Sequence, residues 1–369
     1  MTVTHPLPAA DQLLDDFEND SLESGASQQR RRTVASYVAQ VRKFLLHEEP
    51  RVTYASLENP GRCKSFFRML KSRHLAPSTI QNYINAVKKF ISWLGHRQLA
   101  SSQVTSHLSY LLNNELMSLK KNVRSHRLAV LELKTNNMLT TSQIALFKDR
   151  AAIIMDTYLQ VVEQNPTYAP GVRSLIGLIV AYFCTVAGLR RSCFQFMQVN
   201  DVLNAVQSDG LFVIKLSHDK TVTFYGHAQL AITTSEIAWL KRYIRVRPEL
   251  NGYTAGLQLL FFTTAGTAVD KLSCHVRKAF HKVIGATGVT ITSIRSAVAT
   301  VVSRRLDFQS QRTAAHCMGT SLQTIERFYA AARTPSESVT VRKALDSALL
   351  SHVTTREDFQ AVPARPLER

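Results

Sequence analysis

The sequence predicts a mainly α protein with one small antiparallel β-sheet, an α+β chain built as two globular domains. Apolar residues recur at helical spacing over most of its length. The period changes to β-rich runs only between Gly210 and Thr233, where polar turn residues separate the runs. A length of 369 residues with 45% apolar content is long for one core and sufficient for two.

In chain order, residues 1–29 carry Asp11, Asp15, Asp16, Glu18, Asp20 and Glu23 with no Lys or Arg. This acidic, Ser-rich opening reads as a disordered tail with too little apolar content to pack. Residues 30–117 read as a small all-helical domain. Val34, Val38, Val41 and Leu45 form one stripe, with Arg42 and Lys43 off it, and Pro50 lies just past the helix end. Pro77 and Ser78 open a second helix whose stripe is Ile80, Ile84, Val87, Ile91 and Leu94, with Gly95 as its stop signal. Its other side carries Gln81, Asn85, Lys88 and Lys89. A third apolar pattern covers about Val104 to Leu116.

Residues 118–140 crowd Lys120, Lys121, Arg124, Arg127 and Lys134 into a stretch with a weaker apolar pattern, which reads as a basic linker. A second domain, 141–335, resumes the helical pattern through Ile144, Ile153 and Leu159 and then Val172 to Leu189. The β-rich runs are Gly210–Ser217, Val222–Tyr225 and Leu230–Thr233. Helices return over 235–246, 273–284, 294–305 and 321–332. In 336–369, Val339, Val341, Leu345, Leu349 and Leu350 outline a last helix before the C-terminal tail.

The formal charge of +18 implies a polyanionic partner, because clustered Lys and Arg displace counterions from phosphates. Double-stranded DNA is the leading candidate. The cationic helical faces at Arg42, Lys43, Lys88 and Lys89, and the basic stretch around Lys120, Lys121 and Arg124, have two readings: solvated surface or phosphate contact. Five scattered cysteines lack the close spacing of a zinc site or a disulfide framework, so no metal or cofactor is indicated and a reducing compartment fits. The longest apolar run, Leu175 to Leu189, is bounded by charges and shorter than the roughly 18–20 residues that span a bilayer, so it reads as a buried helix with no membrane role. The N-terminus lacks a signal-peptide pattern.

Four residues form a chemically suggestive set. Phosphodiester cleavage without a metal needs an activated nucleophile, charge neutralisation at the phosphorane-like transition state, and an acid for the leaving alkoxide. Arg190 and Arg295 offer planar forks that stay charged and meet phosphate oxygens bidentately. Lys220 lies at an expected strand turn, and Tyr329 is a phenol whose ordinary pKa of about 10 must be lowered by nearby cations. Singly, each has an ordinary alternative: a snorkelling helix-end arginine, a surface lysine, a packed tyrosine.

The order Arg, Lys, Arg, Tyr and the surrounding boxes resemble the tyrosine recombinase (phage-integrase-like) family. The boxes are Ala187-Gly-Leu-Arg-Arg-Ser192, His218-Asp-Lys-Thr221, Ile294-Arg-Ser-Ala-Val-Ala-Thr300 and Met318-Gly-Thr-Ser through Arg327-Phe-Tyr329. The resemblance implies a helical core-binding, SAM-like domain over 30–117 and a catalytic domain over 141–335, closing as a clamp on DNA. It assigns Tyr329 as nucleophile, Arg190 and Arg295 as phosphate ligands, and Lys220 as general acid; Arg191, beside the catalytic position, joins the DNA contacts.

The chain departs from the family where histidine-type residues are usual. Thr292 stands in the second box and Thr320 in the third, and threonine cannot shuttle a proton near neutral pH. His316, four residues before Thr320, is a substitute or an ordinary structural histidine. Cys193 stands where a glutamate is common.

The Lys-Thr hairpin, the missing histidines and the long basic linker resemble recombinases of eukaryotic Crypton-type mobile elements, or host genes derived from them. That resemblance implies a nuclear location; a prokaryotic origin would make it cytoplasmic. Two functions follow: a DNA recombinase or integrase working through a 3′-phosphotyrosyl intermediate, or a catalytically impaired DNA-binding protein that kept the clamp. In the family a terminal helix docks on a neighbouring protomer, which implies a DNA-dependent homo-oligomer, a tetrameric synapse. Deletion after Arg333 is therefore expected to abolish synapsis, scored as higher-order complexes on native gels; unchanged synapsis would refute the docking role.

Overall fold

The computed structural model describes residues 10–22, 28–48, 57, 59–136, 138–217, 226–326 and 342. Two compact units divide the chain, Met1–Val130 and Leu131–Arg369. The β-rich run expected at 222–225 and the terminal helix expected after 336 lie outside the described residues.

Unit one is helical. It comprises α1 (Ala10–Ser21), α2 (Gln28–Leu45), α3 (Pro60–Ser72), α4 (Pro77–His96) and the first part of α5 (Ser102–Asn136). The expected stripes of α2 and α4 are buried together: Val34, Val38, Val41 and Leu45 share a core with Ile80, Ile84, Val87, Ile91 and Leu94. Gly95 does not stop α4, which runs one residue further before Arg97 caps it. In α3, Asn59 accepts from the Gly61 amide at 2.9 Å, and Phe66 and Phe67 fill the core. Buried Arg62 donates to the Leu45 carbonyl and so ties α3 to the end of α2.

The acidic opening is not a disordered tail throughout. Leu13, Leu14 and Phe17 fall on one face of α1 and are buried, and the Phe17 ring packs edge-on against Phe90 and Trp93 at 5.4 and 5.5 Å. Two of its carboxylates are matched to cations: Asp11 pairs with Arg42, and Asp20 accepts from Arg97 Nε at 2.6 Å and from Trp93 Nε1 at 2.8 Å. Those bonds from Arg97 and Trp93 hold the Asp20 carboxyl below its ordinary pKa. The average composition concealed an amphipathic helix, because three apolar residues at the right spacing suffice for one buried face.

The basic stretch 118–140 is not an unpacked linker either. α5 continues through it as far as Asn136; Leu119 and Val123 are buried while Lys120, Lys121, Arg124 and Arg127 are exposed. The division between units falls inside this helix.

Unit two centres on α7 (Ala169–Ala187), which packs against α6 (Thr141–Gln164), α11 (Leu272–Ile284), α12 (Ile291–Arg305) and β3 (Ala228–Ile232). α7 is long and apolar enough to cross a membrane, yet its apolar residues fill the unit's core. Ile153 of α6 is 77% exposed although Ile144 and Leu159 are buried. Nine residues from Ile144 is two and a half turns, which places Ile153 on the opposite face.

Short helices α8 (Arg191–Gln195) and α9 (Val199–Leu203) lead into the sheet, whose order is β1-β2-β3, all antiparallel. β1 (Val206–Ser208) and β2 (Leu211–Leu216) turn tightly at Asp209-Gly210, both with positive φ, the Asp-Gly geometry that matches strand twist. After β3 come α10 (Thr234–Val246), a 3-10 turn at Arg247–Glu249, α11, α12 and α13 (Phe308–Cys317). Buried Arg247 secures the loop after α10 by donating to the Leu259 carbonyl from Nε at 3.0 Å.

Phe17→Ala is expected to destabilise unit one by about 3 kcal/mol or more, the usual cost of removing a buried phenyl ring. Urea unfolding of the full chain checks this; a loss under about 1 kcal/mol would mean α1 is not part of the core.

Candidate active site

Three local structures place Arg190, Arg295 and the third box. At the C-terminus of α7, Gly188 adopts φ 58° and its amide closes on the Cys184 carbonyl at 2.9 Å. A Cβ here would meet Val298 Cγ1 and the Met318 methyl at 2.9 Å, so both conformation and space require glycine. Leu189 is then buried, and Arg190 follows as the N-cap of α8 with extended backbone and a half-buried side chain. Arg191 is exposed at the first position of α8.

Arg295 lies in the second turn of α12, whose start is capped reciprocally: the Ser293 amide donates to Thr290 Oγ1 at 3.1 Å and the Thr290 amide to Ser293 Oγ at 2.8 Å. Thr292 is exposed in the first turn, three residues before Arg295.

The third box forms the end of α13. Gly319 takes φ 64°, the Thr320 amide donates to the Ala315 carbonyl at 2.9 Å and the Gly319 amide to the His316 carbonyl at 2.8 Å. This paired arrangement is the Schellman helix stop. It turns the Met318 and Gly319 carbonyls away from the helix, where the arginines take them. Arg295 Nη1 donates to Gly188 O at 2.7 Å and Met318 O at 3.1 Å, while Arg190 Nη1 donates to Gly319 O at 2.5 Å.

Two guanidinium groups from distant sequence positions thus meet on one turn. Arg295 is 2% exposed and Thr320 is 1% exposed, and the Thr320 hydroxyl has no hydrogen-bond partner among the described residues. His316 sits on the last turn of α13 with its side chain exposed, and Ala315 beside it is the residue turned into the core.

Behind the arginines, Cys184 and Cys193 are buried. Burial pushes the Cys184 thiol well above its ordinary pKa, neighbouring Cys193 adds to the rise, and Arg295 opposes it. It is held as a neutral packing group beneath the site. The Cys193 amide donates to the Arg190 carbonyl at 3.1 Å, so this position helps shape the backbone around Arg190.

Lys220 and Tyr329 lie outside the described residues. The approaches to each are described. β2 and β3 pair to Leu216 opposite Ala228, so Lys220 belongs to the connection between them. Asp201 anchors that connection at its base: its carboxylate accepts from Ser217 Oγ at 2.6 Å, the Ser217 amide at 3.3 Å and the Gln198 amide at 2.8 Å. Asp201 has no motif of its own, and only the fold reveals it. Towards Tyr329, Ser321 caps the helical turn at Leu322–Thr324, and Ile325 is buried with Ala299, Val302, Ala315 and Met318.

Of the basic residues expected to bind DNA, four on unit one have defined partners, while Arg191 lies on unit two. Arg42 pairs with Asp11. Lys43 Nζ reaches Tyr83 Oη at 3.2 Å, Lys88 Nζ reaches Asn113 Oδ1 at 2.7 Å, and Lys89 Nζ lies 4.3 Å from the centre of the Tyr37 ring. Lys120, Lys121 and Arg124 are exposed on α5.

Residues 63–131 match the phage integrase N-terminal SAM-like domain. The whole chain is similar in structure to the XerH site-specific recombinase bound to difH substrate in a pre-cleavage complex, with a TM-score of 0.54 and 15% identity over 87% of this chain and 82% of that one. It is also similar to the Tn1549 transposon integrase in complex with transposon right end DNA, with a TM-score of 0.50 and 13% identity over 91% of this chain and 99% of that one. The fold is that of the tyrosine recombinases. No curated protein matches the chain in sequence. In tyrosine recombinase terms, unit one contains the SAM-like region from within α3 to the division inside α5.

Gly188→Ala is expected to cost about 2 kcal/mol or more, because a left-handed alanine is strained and its Cβ would displace Val298 and Met318. A urea midpoint equal to that of the unaltered protein would contradict the close approach of α7, α12 and the third box.

Proposed function

We propose that the protein is a site-specific DNA recombinase that cleaves and rejoins DNA through a 3′-phosphotyrosyl intermediate. The convergence of Arg190 and Arg295 on the Met318-Gly319 turn, in a chain of tyrosine recombinase fold, carries this reading. Held on a turn about ten residues before Tyr329 in sequence, the pair can neutralise the nonbridging oxygens of a scissile phosphate and lower the phenol's pKa.

The reaction balances without an external energy source. The Tyr329 phenolate attacks phosphorus, the bond to the 5′-oxygen breaks, and Lys220 gives that oxygen its proton. A 5′-hydroxyl from another strand then attacks the phosphotyrosine and releases Tyr329. The bond energy is conserved in the covalent link, so the cycle requires neither ATP nor a metal. Asp201 contributes indirectly by fixing the base of the connection that carries Lys220.

The SAM-like region and the charge of +18 support duplex DNA as partner, with Lys43, Lys88, Lys89, Lys120, Lys121, Arg124 and Arg191 among its phosphate contacts. A DNA-dependent tetramer is the expected strand-exchange assembly. The Crypton-like sequence features favour a nuclear location as part of the same proposal.

A second reading is favoured by the third box. Thr320 buries a hydroxyl with no partner among the described residues, at the position of the family's usual histidine-type side chain. Such a site fits a DNA-binding protein that kept the fold and lost turnover.

The test is a nicked suicide duplex carrying the protein's own recombination site, analysed on denaturing gels. The unaltered protein is expected to form a covalent adduct and Tyr329→Phe none. Adducts from both proteins would remove Tyr329 as nucleophile, and salt-sensitive binding with no adduct from either would favour the second reading.

A further inference from the structure

Unit two has a second cationic feature, remote from the arginine pair. α7 ends just before Arg190 and bears Arg173 near its start, so the two lie about 25 Å apart along the helix direction at 1.5 Å per residue. At that far end a cleft of ≈ 160 Å³ opens between α6, α7 and α11. Arg173 and Ser174 of α7 line it, together with His275, Lys278 and Lys282 of α11 and Tyr158 of α6.

Close packing of two backbones creates this cluster. Gly177 of α7 lets the chain of α11 approach so nearly that a Cβ would lie 2.7 Å from the His275 carbonyl oxygen. The basic face of α11 is thereby laid beside the first turns of α7. That helix start has no side-chain cap, and its dipole adds positive potential.

No carboxylate lines the cleft among the described residues. The acidic residues Asp156 and Glu163 of α6 are committed elsewhere, to Arg242 of α10 at 2.6 and 2.7 Å. The uncompensated charge registers on His275, whose pKa is lowered by burial and further by Lys278 and Arg173. Lys282 rests 4.9 Å from the centre of the Tyr158 ring, which seats its ammonium at the cleft wall.

We propose that this cleft is a binding site for the phosphate group of a soluble ligand, separate from the site that acts on DNA. Arg173 supplies a planar fork, Lys278 and Lys282 supply mobile ammonium groups, and the Ser174 hydroxyl adds a neutral donor. The concave shape suits a compact oxyanion with its first waters. A duplex backbone would instead present its phosphates along an open track. The assignment is independent of recombinase activity and stands whether or not Tyr329 is a nucleophile.

The experiment is calorimetric titration of the full chain with inorganic pyrophosphate at constant ionic strength, balanced with sodium chloride. One saturable site is expected. Arg173→Gln and Lys278→Gln, both at exposed positions, should each weaken it roughly tenfold, the loss of one charge-assisted hydrogen bond. Lys64→Gln, at an exposed position of α3 in unit one, should leave it unchanged. Non-saturable heats, or equal affinity in all four proteins, would overturn the site. A short duplex titrated in parallel separates the phosphate sources: if it displaces pyrophosphate and the two cleft variants lose DNA affinity, the cleft is a duplex contact and the soluble-ligand assignment fails.

Discussion

The arrangement at the candidate site depends on one buried guanidinium. Arg295 donates through a single nitrogen to the carbonyls of Gly188 and Met318, joining the end of α7 to the end of α13 across more than a hundred residues of chain. Each carbonyl is available because a left-handed glycine, Gly188 or Gly319, ends a helix beside it. Burying a cation is costly unless its donors are met, so this part of the core and the site's geometry are mutually required. Arg190, bonded to the next carbonyl at Gly319, is positioned by the same turn.

A neutral thiol lies beneath this charge. Cys184, pushed by burial to stay protonated, packs behind Arg295 without contributing an anion. Thr320 and Thr292 do not titrate near neutral pH, and neither adds charge beside Arg190 and Arg295.

Unit one shows a different use of charge. Asp11 and Asp20 of α1 engage Arg42 and Arg97, so a helix rich in carboxylates stays attached to a cationic domain through both apolar burial and ion pairing. Exposed pairs of this kind contribute little each. The buried faces of Leu13, Leu14 and Phe17 carry most of the attachment.

The sequence by itself determined the helical stripes of α2 and α4, the switch to β structure after Gly210, the cationic balance and the boxes containing Arg190 and Arg295. These signals are local, since period, capping residues and short motifs are set by neighbours along the chain. It misjudged α1 and the stretch leading to Asn136 because average polarity hides a helix held by one narrow apolar face. Only the tertiary structure decided that both arginines meet one turn, that Asp201 anchors the β2–β3 connection, and that α11 lays its basic face beside Arg173. Each of these rests on a contact between residues far apart in the chain, through a backbone carbonyl or a glycine's missing side chain, which periodicity and spacing do not encode.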